Sequence, residues 1–243
     1  MSESRFVKAT RLLFPRLLGL LLGLFALPVL ATDSGKPTVA VLYFDYEGSD
    51  AGMQLLKKGL AQMLISDLSA HEPVRFVERD RLQQVMDELE LNQSNKFDQA
   101  TANKVGKLLG ARYLVMGGYF DVMNTLRVDA RVVETETGRI IRSVGAQNTP
   151  EKFLALEQQL AQELRAVFEE LIATTDEAGK APAKPKPVRK PRKLTRDTAL
   201  RYARALDAKD RKDLVLAKKE LSAVVKAQPD FQLASKELAL LMK

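Results

Sequence analysis

Between residues 125 and 134 the sequence TLRVDARVVE sets Leu126, Val128, Ala130 and Val132 against Arg127, Asp129 and Arg131. A period of two sends alternate side chains to opposite faces of a strand, so this ribbon has one packed side and one wet side. RYLVMGGYFDV (112–122) precedes it and RIIRSVGA (139–146) follows, joined through MNT and TETG, both of hairpin length. Three successive strands with one apolar face commit the chain to a sheet whose cover must come from elsewhere in the sequence.

The remaining segments supply that cover. PTVAVLYFD (37–45) is a nearly continuous apolar run, as expected of a strand covered on both faces. From Met53 to Leu68, the positions Leu55, Leu56, Leu60, Met63, Leu64 and Leu68 recur at three and four, with Lys57, Lys58, Gln62 and Asp67 expected on a solvated side. PVRFVE (73–78) reads as a short strand and RDRLQQVMDELEL as a helix through Leu82, Val85, Met86 and Leu89. Asp98 is placed to N-cap a third helix, QATANKVGKLL, which Gly110 closes. A long helix over 150–172 carries Phe153, Leu156, Leu160, Leu164, Phe168 and Leu171 along one stripe. The order β-α-β-α-α-β-β-β-α predicts an α+β domain, a mixed sheet with packed helices.

Outside that domain the composition changes. Arg5, Lys8, Arg11 and Arg16 followed by LLGLLLGLFALPVL (17–30) and Ala31 read as a signal peptide over 1–31, cut after Ala31, which implies export to the periplasm. The domain expected over 32–173 is acidic, residues 32–176 carrying a net −6, whereas 177–194 carry +6 and 195–243 carry +4. The linker over 174–194 has prolines at 182, 185, 187 and 191 among basic residues, a composition that cannot bury a core. Its Lys184, Lys186, Arg189, Lys190, Arg192 and Lys193 suit peripheral contact with an anionic membrane or cell-wall polymers; without interleaved aromatics they do not suit nucleic acid. Residues 198–229 fit a tetratricopeptide pattern, with Ala205, Ala217 and Leu221 at packing positions and Pro229 at its close, within a helical segment spanning 195–243. A single such repeat cannot cover its own face, so it must dock on the main domain, pair with another copy or hold a partner.

Few residues invite a chemical reading. The chain has no cysteine, which excludes disulfides, thiolate metal sites and cysteine-borne lipid. His71 lies in the loop SAHEP with no nucleophile motif beside it, and a solvated loop histidine is the expectation. Gly117 and Gly118 lack the surroundings of a phosphate loop and read as a close backbone approach within a strand. Asp45, Glu47 and Asp50 offer oxygens for a cation, but at a spacing that fits capping better than a calcium loop. Glu78, Arg79, Asp80 and Arg81 at a strand-helix junction read as helix capping and a surface ion-pair cluster. No catalytic group, metal site or cofactor is expected.

The phrases VAVLYFD, GLAQMLISDLS, VRFVERDRLQQVMDELEL, ATANKVGKLLGARYLVMGGY and RVDARVVETETGRIIRSV, in that order over about 38–172, resemble the periplasmic domain of the curli-secretion-channel family, the CsgG/HfaB type. Related domains are those of FlgO, TolB-like amino-terminal domains and lipoprotein activators of cell-wall synthases. The resemblance implies envelope partners, an outer-membrane or secretion component among them, and a homo-oligomer. In channel-forming members each subunit adds two membrane hairpins around the last strands and is anchored through a lipidated cysteine. Here only the residues around Met123–Thr125 and Gln147–Pro150 stand at those places, too few for strands of roughly 9–11 residues.

The resulting expectation is a non-enzymatic periplasmic assembly or scaffold protein associated with the outer membrane, soluble and not pore-forming. The alternatives are a regulator of envelope enzymes resembling the cell-wall synthase activators, and a metal-dependent hydrolase or ligand-binding protein using the acidic turn after the first strand.

Overall fold

The computed structural model describes residues 36–69, 74–91, 98–175 and 194–243. The signal-peptide assignment, His71 and the basic residues from Lys184 to Lys193 lie outside them. The described chain is built as β1 (Thr38–Val41), β2 (Asp45–Tyr46), α1 (Ala51–Ser69), β3 (Arg75–Phe76), α2 (Arg79–Glu88), α3 (Gln99–Leu108), β4 (Tyr113–Val122), β5 (Thr125–Glu134), β6 (Ile140–Asn148), α4 (Phe153–Thr175), α5 (Arg196–Asp210), α6 (Leu214–Ala227) and α7 (Gln232–Leu241).

The fold is α+β, with one mixed sheet in the order β3-β1-β4-β5-β6, and β2 pairing β4. β1 runs parallel to β3 and β4, while β4, β5 and β6 are antiparallel neighbours. The apolar run after Pro37 is buried from Val39 through Phe44, as a centrally placed segment requires. Only its first part is strand: β1 ends at Val41, and Asp45–Tyr46 form a separate short strand beside Gly118 and Tyr119. The segment expected as a strand over 73–78 pairs at Arg75 and Phe76 alone before α2 begins.

Alternation in β5 sorts the two faces. Leu126, Val128, Ala130 and Val132 are buried and Arg127, Asp129 and Arg131 exposed. Opposite them on β4, Tyr119 donates its hydroxyl to the Met53 carbonyl of α1, which identifies the α1 side of the sheet. On the other side α3 approaches closely: a Cβ at Gly106 would sit 2.9 Å from Leu114 Cδ2 and 2.8 Å from Thr135 Cγ2. Gly117 is required for a similar reason, since a Cβ there would meet the Asp129 carbonyl oxygen of β5 at 2.0 Å. The Gly117–Gly118 pair is thus a close backbone approach inside the sheet.

Asp98 caps α3 by accepting from the Thr101 N–H at 2.7 Å, and Gly110 terminates that helix region with φ +63°. Val122 pairs with Thr125, leaving Met123 and Asn124 as a two-residue turn with φ of 47° and 62°. β6 ends at Asn148, and after Thr149 a single 3₁₀ turn, Pro150–Lys152, leads straight into α4. Both connections are therefore filled by turns.

α1 departs from the expected amphipathic helix. Lys57, Lys58 and Gly59 are buried along with the leucine stripe, because α5 packs on the face that the sequence pattern assigned to solvent. α5 and α6 form a helical hairpin that α7 extends, with Tyr202 and Phe231 meeting edge-on at a centroid distance of 4.9 Å. Ala205, Ala217 and Leu221 are buried in this unit, and Pro229 is exposed in the turn before α7.

Candidate functional site

The seam between α1 and α5 is laid down by spacing. Arg196, Leu200, Ala203, Asp207 and Asp210 follow one another at four, three, four and three residues, which places them on one stripe of α5. Each of them meets the main domain. Arg196 donates to Asp50 at 3.1 Å, and Leu200 lies 3.7 Å from the Cβ position of Gly52. Ala203 Cβ lies 3.2 Å from the Cβ position of Gly59, so the two helices touch where neither has bulk. Beyond that point the stripe turns acidic, and two buried cations await it.

Lys58 and Arg79 are each 1% exposed. Lys58 Nζ lies 3.1 Å from Asp207 Oδ1 and 2.7 Å from Asp210 Oδ2. Arg79, the first residue of α2, donates from Nη1 to Asp210 at 2.8 Å and 3.0 Å and to the Tyr43 hydroxyl at 3.2 Å, and from Nη2 to Asp80 at 2.5 Å. The Tyr43 hydroxyl in turn donates to Gln83 at 2.9 Å. An outer pair closes the site: Lys209 donates to Asp80 at 2.8 Å and to Glu237 of α7 at 2.7 Å. Two buried positive charges thus face two aspartates of α5, and Asp210 is shared between them.

The electrostatics follow from burial and pairing. Desolvation opposes the charge on Arg79, yet the Tyr43 oxygen and the Asp210 and Asp80 carboxylates outweigh it and hold its pKa above the ordinary arginine value. Burial raises the Tyr43 hydroxyl, keeping it neutral as a hydrogen-bonding group. Burial also acts to raise Asp80, but Lys209 and Arg79 prevail and lower it, while Lys209 is raised against desolvation by Asp80 and Glu237. Charge-assisted hydrogen bonds among buried groups of this kind can fix the register of two packed elements.

This arrangement corrects the reading of residues 78–81. Glu78 precedes α2 without a side-chain capping bond, and Arg79 is buried at the contact with α5 instead of on a surface ion-pair cluster. Neither residue's neighbours in sequence reveal this, because Asp210 lies 131 positions away. The available signal was the small-then-acidic stripe on α5, read against the glycines at 52 and 59.

The acidic turn after β1 has a structural occupation. Asp50 accepts from the N–H groups of Gly52 and Met53 at 2.7 Å and 3.2 Å, at the start of α1, and its other oxygen pairs with Arg196. Asp45 is drawn to pairing in β2, and the Tyr46 hydroxyl bonds Asp121 of β4. Among the described residues no group of three or more His, Cys, Asp or Glu side chains is placed to hold a metal ion. Among the same residues, no helix is long and apolar enough to cross a membrane.

Comparison with known proteins adds the following. No curated protein matches the chain. Similar solved structures include the LpoB C-terminal domain from Salmonella enterica, 15% identical over 47% of this chain and 84% of that one, with a TM-score of 0.38. Lipoprotein GNA1162 from Neisseria meningitidis is 12% identical over 58% of this chain and 99% of that one, with a TM-score of 0.38. A PelC dodecamer from Paraburkholderia phytofirmans is 13% identical over 54% of this chain and 88% of that chain, with a TM-score of 0.36. The sequence match to a family ends at Val122, before β5, β6 and α4, which the resemblance in sequence had included. Residues 22–122, which include β1 to β4 and α1 to α3, match the family described as "Curli production assembly/transport component CsgG".

Proposed function

We propose that this protein is a non-enzymatic assembly or scaffold component of the periplasm of an outer-membrane-bearing bacterium, soluble and not pore-forming. The observation that carries the reading is the brevity of the two connections where curli-type channels would carry membrane hairpins. The β4–β5 turn is Met123 and Asn124 alone, and only Thr149 and a 3₁₀ turn separate β6 from α4. In place of hairpins the chain carries a helical unit, α5 to α7, docked on α1 through matched charges. Ala205, Ala217, Leu221 and Pro229 give that unit its tetratricopeptide-like character, which suits contact with a second protein. The basic residues from Lys184 to Lys193 supply peripheral attraction to anionic envelope polymers.

The test is cell fractionation together with planar-bilayer recording on the full-length protein. The protein is expected in the osmotic-shock fluid without detergent, and without conductance. Recovery as a detergent-requiring, conducting assembly would overturn the proposal.

A further inference from the structure

The charges at the α1–α5 seam cannot balance within the main domain. Lys58 and Arg79 are buried there, and among the described residues the one main-domain carboxylate paired with either of them is Asp80, whose side chain is 53% exposed and is shared with Lys209. Asp207 and Asp210 of α5 complete the set, with Asp210 bridging both cations. A main domain whose α5 is elsewhere is left with two cations and an adjoining glycine face with nothing packed on it, an arrangement costly enough to demand a replacement of the same chemistry. That chemistry is specific: a helix with a small residue facing Gly59, then a carboxylate four residues on and another three further, as in Ala203, Asp207 and Asp210.

We propose that this surface is a docking site that takes α5 from a second copy of the chain as well as from its own, so that the C-terminal helices join neighbouring copies. The partner copy then contributes Asp207 and Asp210 to a site that is incomplete without them. Every bond in the trans contact is one already formed in cis, which makes exchange of an identical element a low-cost route to association. Residues 176–193 join α4 to the C-terminal unit, and eighteen residues reach at most about 60 Å. A tether of this length gives the chain's own α5 an effective concentration on the order of millimolar, so trans docking takes over where copies are crowded at comparable density. The inference rests on the scaffold reading for its context, and it supplies that reading with a contact.

Absence of native cysteine makes the contact directly readable. Full-length Gly59→Cys and full-length Ala203→Cys, carrying tags of different mass, are mixed in a thiol-disulfide buffer at increasing protein concentration. The two Cβ positions are 3.2 Å apart, near the separation a disulfide spans. Expected is a mixed interchain disulfide that grows with concentration and falls on the order of a hundredfold when Asp207→Asn and Asp210→Asn are added to the Ala203→Cys chain. The double variant Gly59→Cys/Ala203→Cys reports the cis contact and shows that the fold is intact. Internal cross-linking of the double variant with no mixed dimer at any concentration overturns the proposal. So does a mixed dimer indifferent to the two aspartates, or a double variant that fails to cross-link. None of these outcomes bears on the localisation and conductance that test the scaffold reading.

Discussion

Asp210 Oδ2 lies 2.7 Å from Lys58 Nζ and 2.8 Å from Arg79 Nη1, so a single carboxylate on α5 ties α1 to the start of α2. Its replacement by asparagine keeps the shape but leaves Lys58 with Asp207 alone and Arg79 with the half-exposed Asp80 alone. Asp210→Asn is expected to destabilise the protein by about 3 kcal/mol in urea unfolding, in line with the loss of one member of a buried ion pair. Asp207→Asn removes one contact of 3.1 Å to Lys58 and is expected to cost less. Equal effects would argue against the bridging role of Asp210.

Gly59 is the point where α1 and α5 touch. A valine there carries two methyls into Ala203, whose Cβ is already 3.2 Å from the Cβ position. Gly59→Val is expected to lower stability by about 1–3 kcal/mol through overpacking. Hydrogen exchange should show the loss of protection in α5 and α6 before β4 and β5, since the sheet does not depend on this contact.

The pH dependence has two limbs of opposite origin. Asp80 is lowered in the folded state, so its contribution is present above the unfolded carboxylate value of about 4 and is lost as pH falls through the folded value. Lys209, Tyr43 and Tyr119 are raised, so their contributions are complete below their unfolded values near 10 and are lost as pH rises through the folded ones. The thermal midpoint is expected to hold level between about pH 5 and 9 and to fall on either side. Asp80→Asn should shrink the acid limb and, because Asp80 also raises Lys209, weaken the lysine's share of the alkaline limb while leaving that of Tyr119 in place.

The β4–β5 turn holds a methionine at φ 47° with its side chain 96% exposed. Met123→Asn with Asn124→Gly supplies the residues that such a turn favours and relieves a conformation that costs an ordinary side chain about 1–2 kcal/mol. A gain of about 1 kcal/mol is expected in chemical denaturation. A loss would mean that the Met123 side chain has a contact of its own.

Much of the sheet was legible because its signals are local. The alternation in β5, the aspartate before α3 and the glycine after it each act within a few residues, and Asp98, Gly110 and the hydrophobic stripe of α4 stand where their spacing put them. The site was harder to read. Lys57 and Lys58 look solvated on a helical wheel, and Arg79 looks like one charge among four, because the wheel carries no information about a helix that arrives more than a hundred residues later.

The sequence by itself determined the succession of strands and helices apart from the break between β1 and β2, the two faces of the central strands and the shortness of the β4–β5 and β6–α4 connections. Local periodicity and turn chemistry suffice for those. Only the tertiary structure decided that α5 lies on α1 and that Lys58 and Arg79 are buried beneath it. Burying a charge is favourable only when a distant segment brings the opposite charge to the same place, and that meeting is a property of the fold.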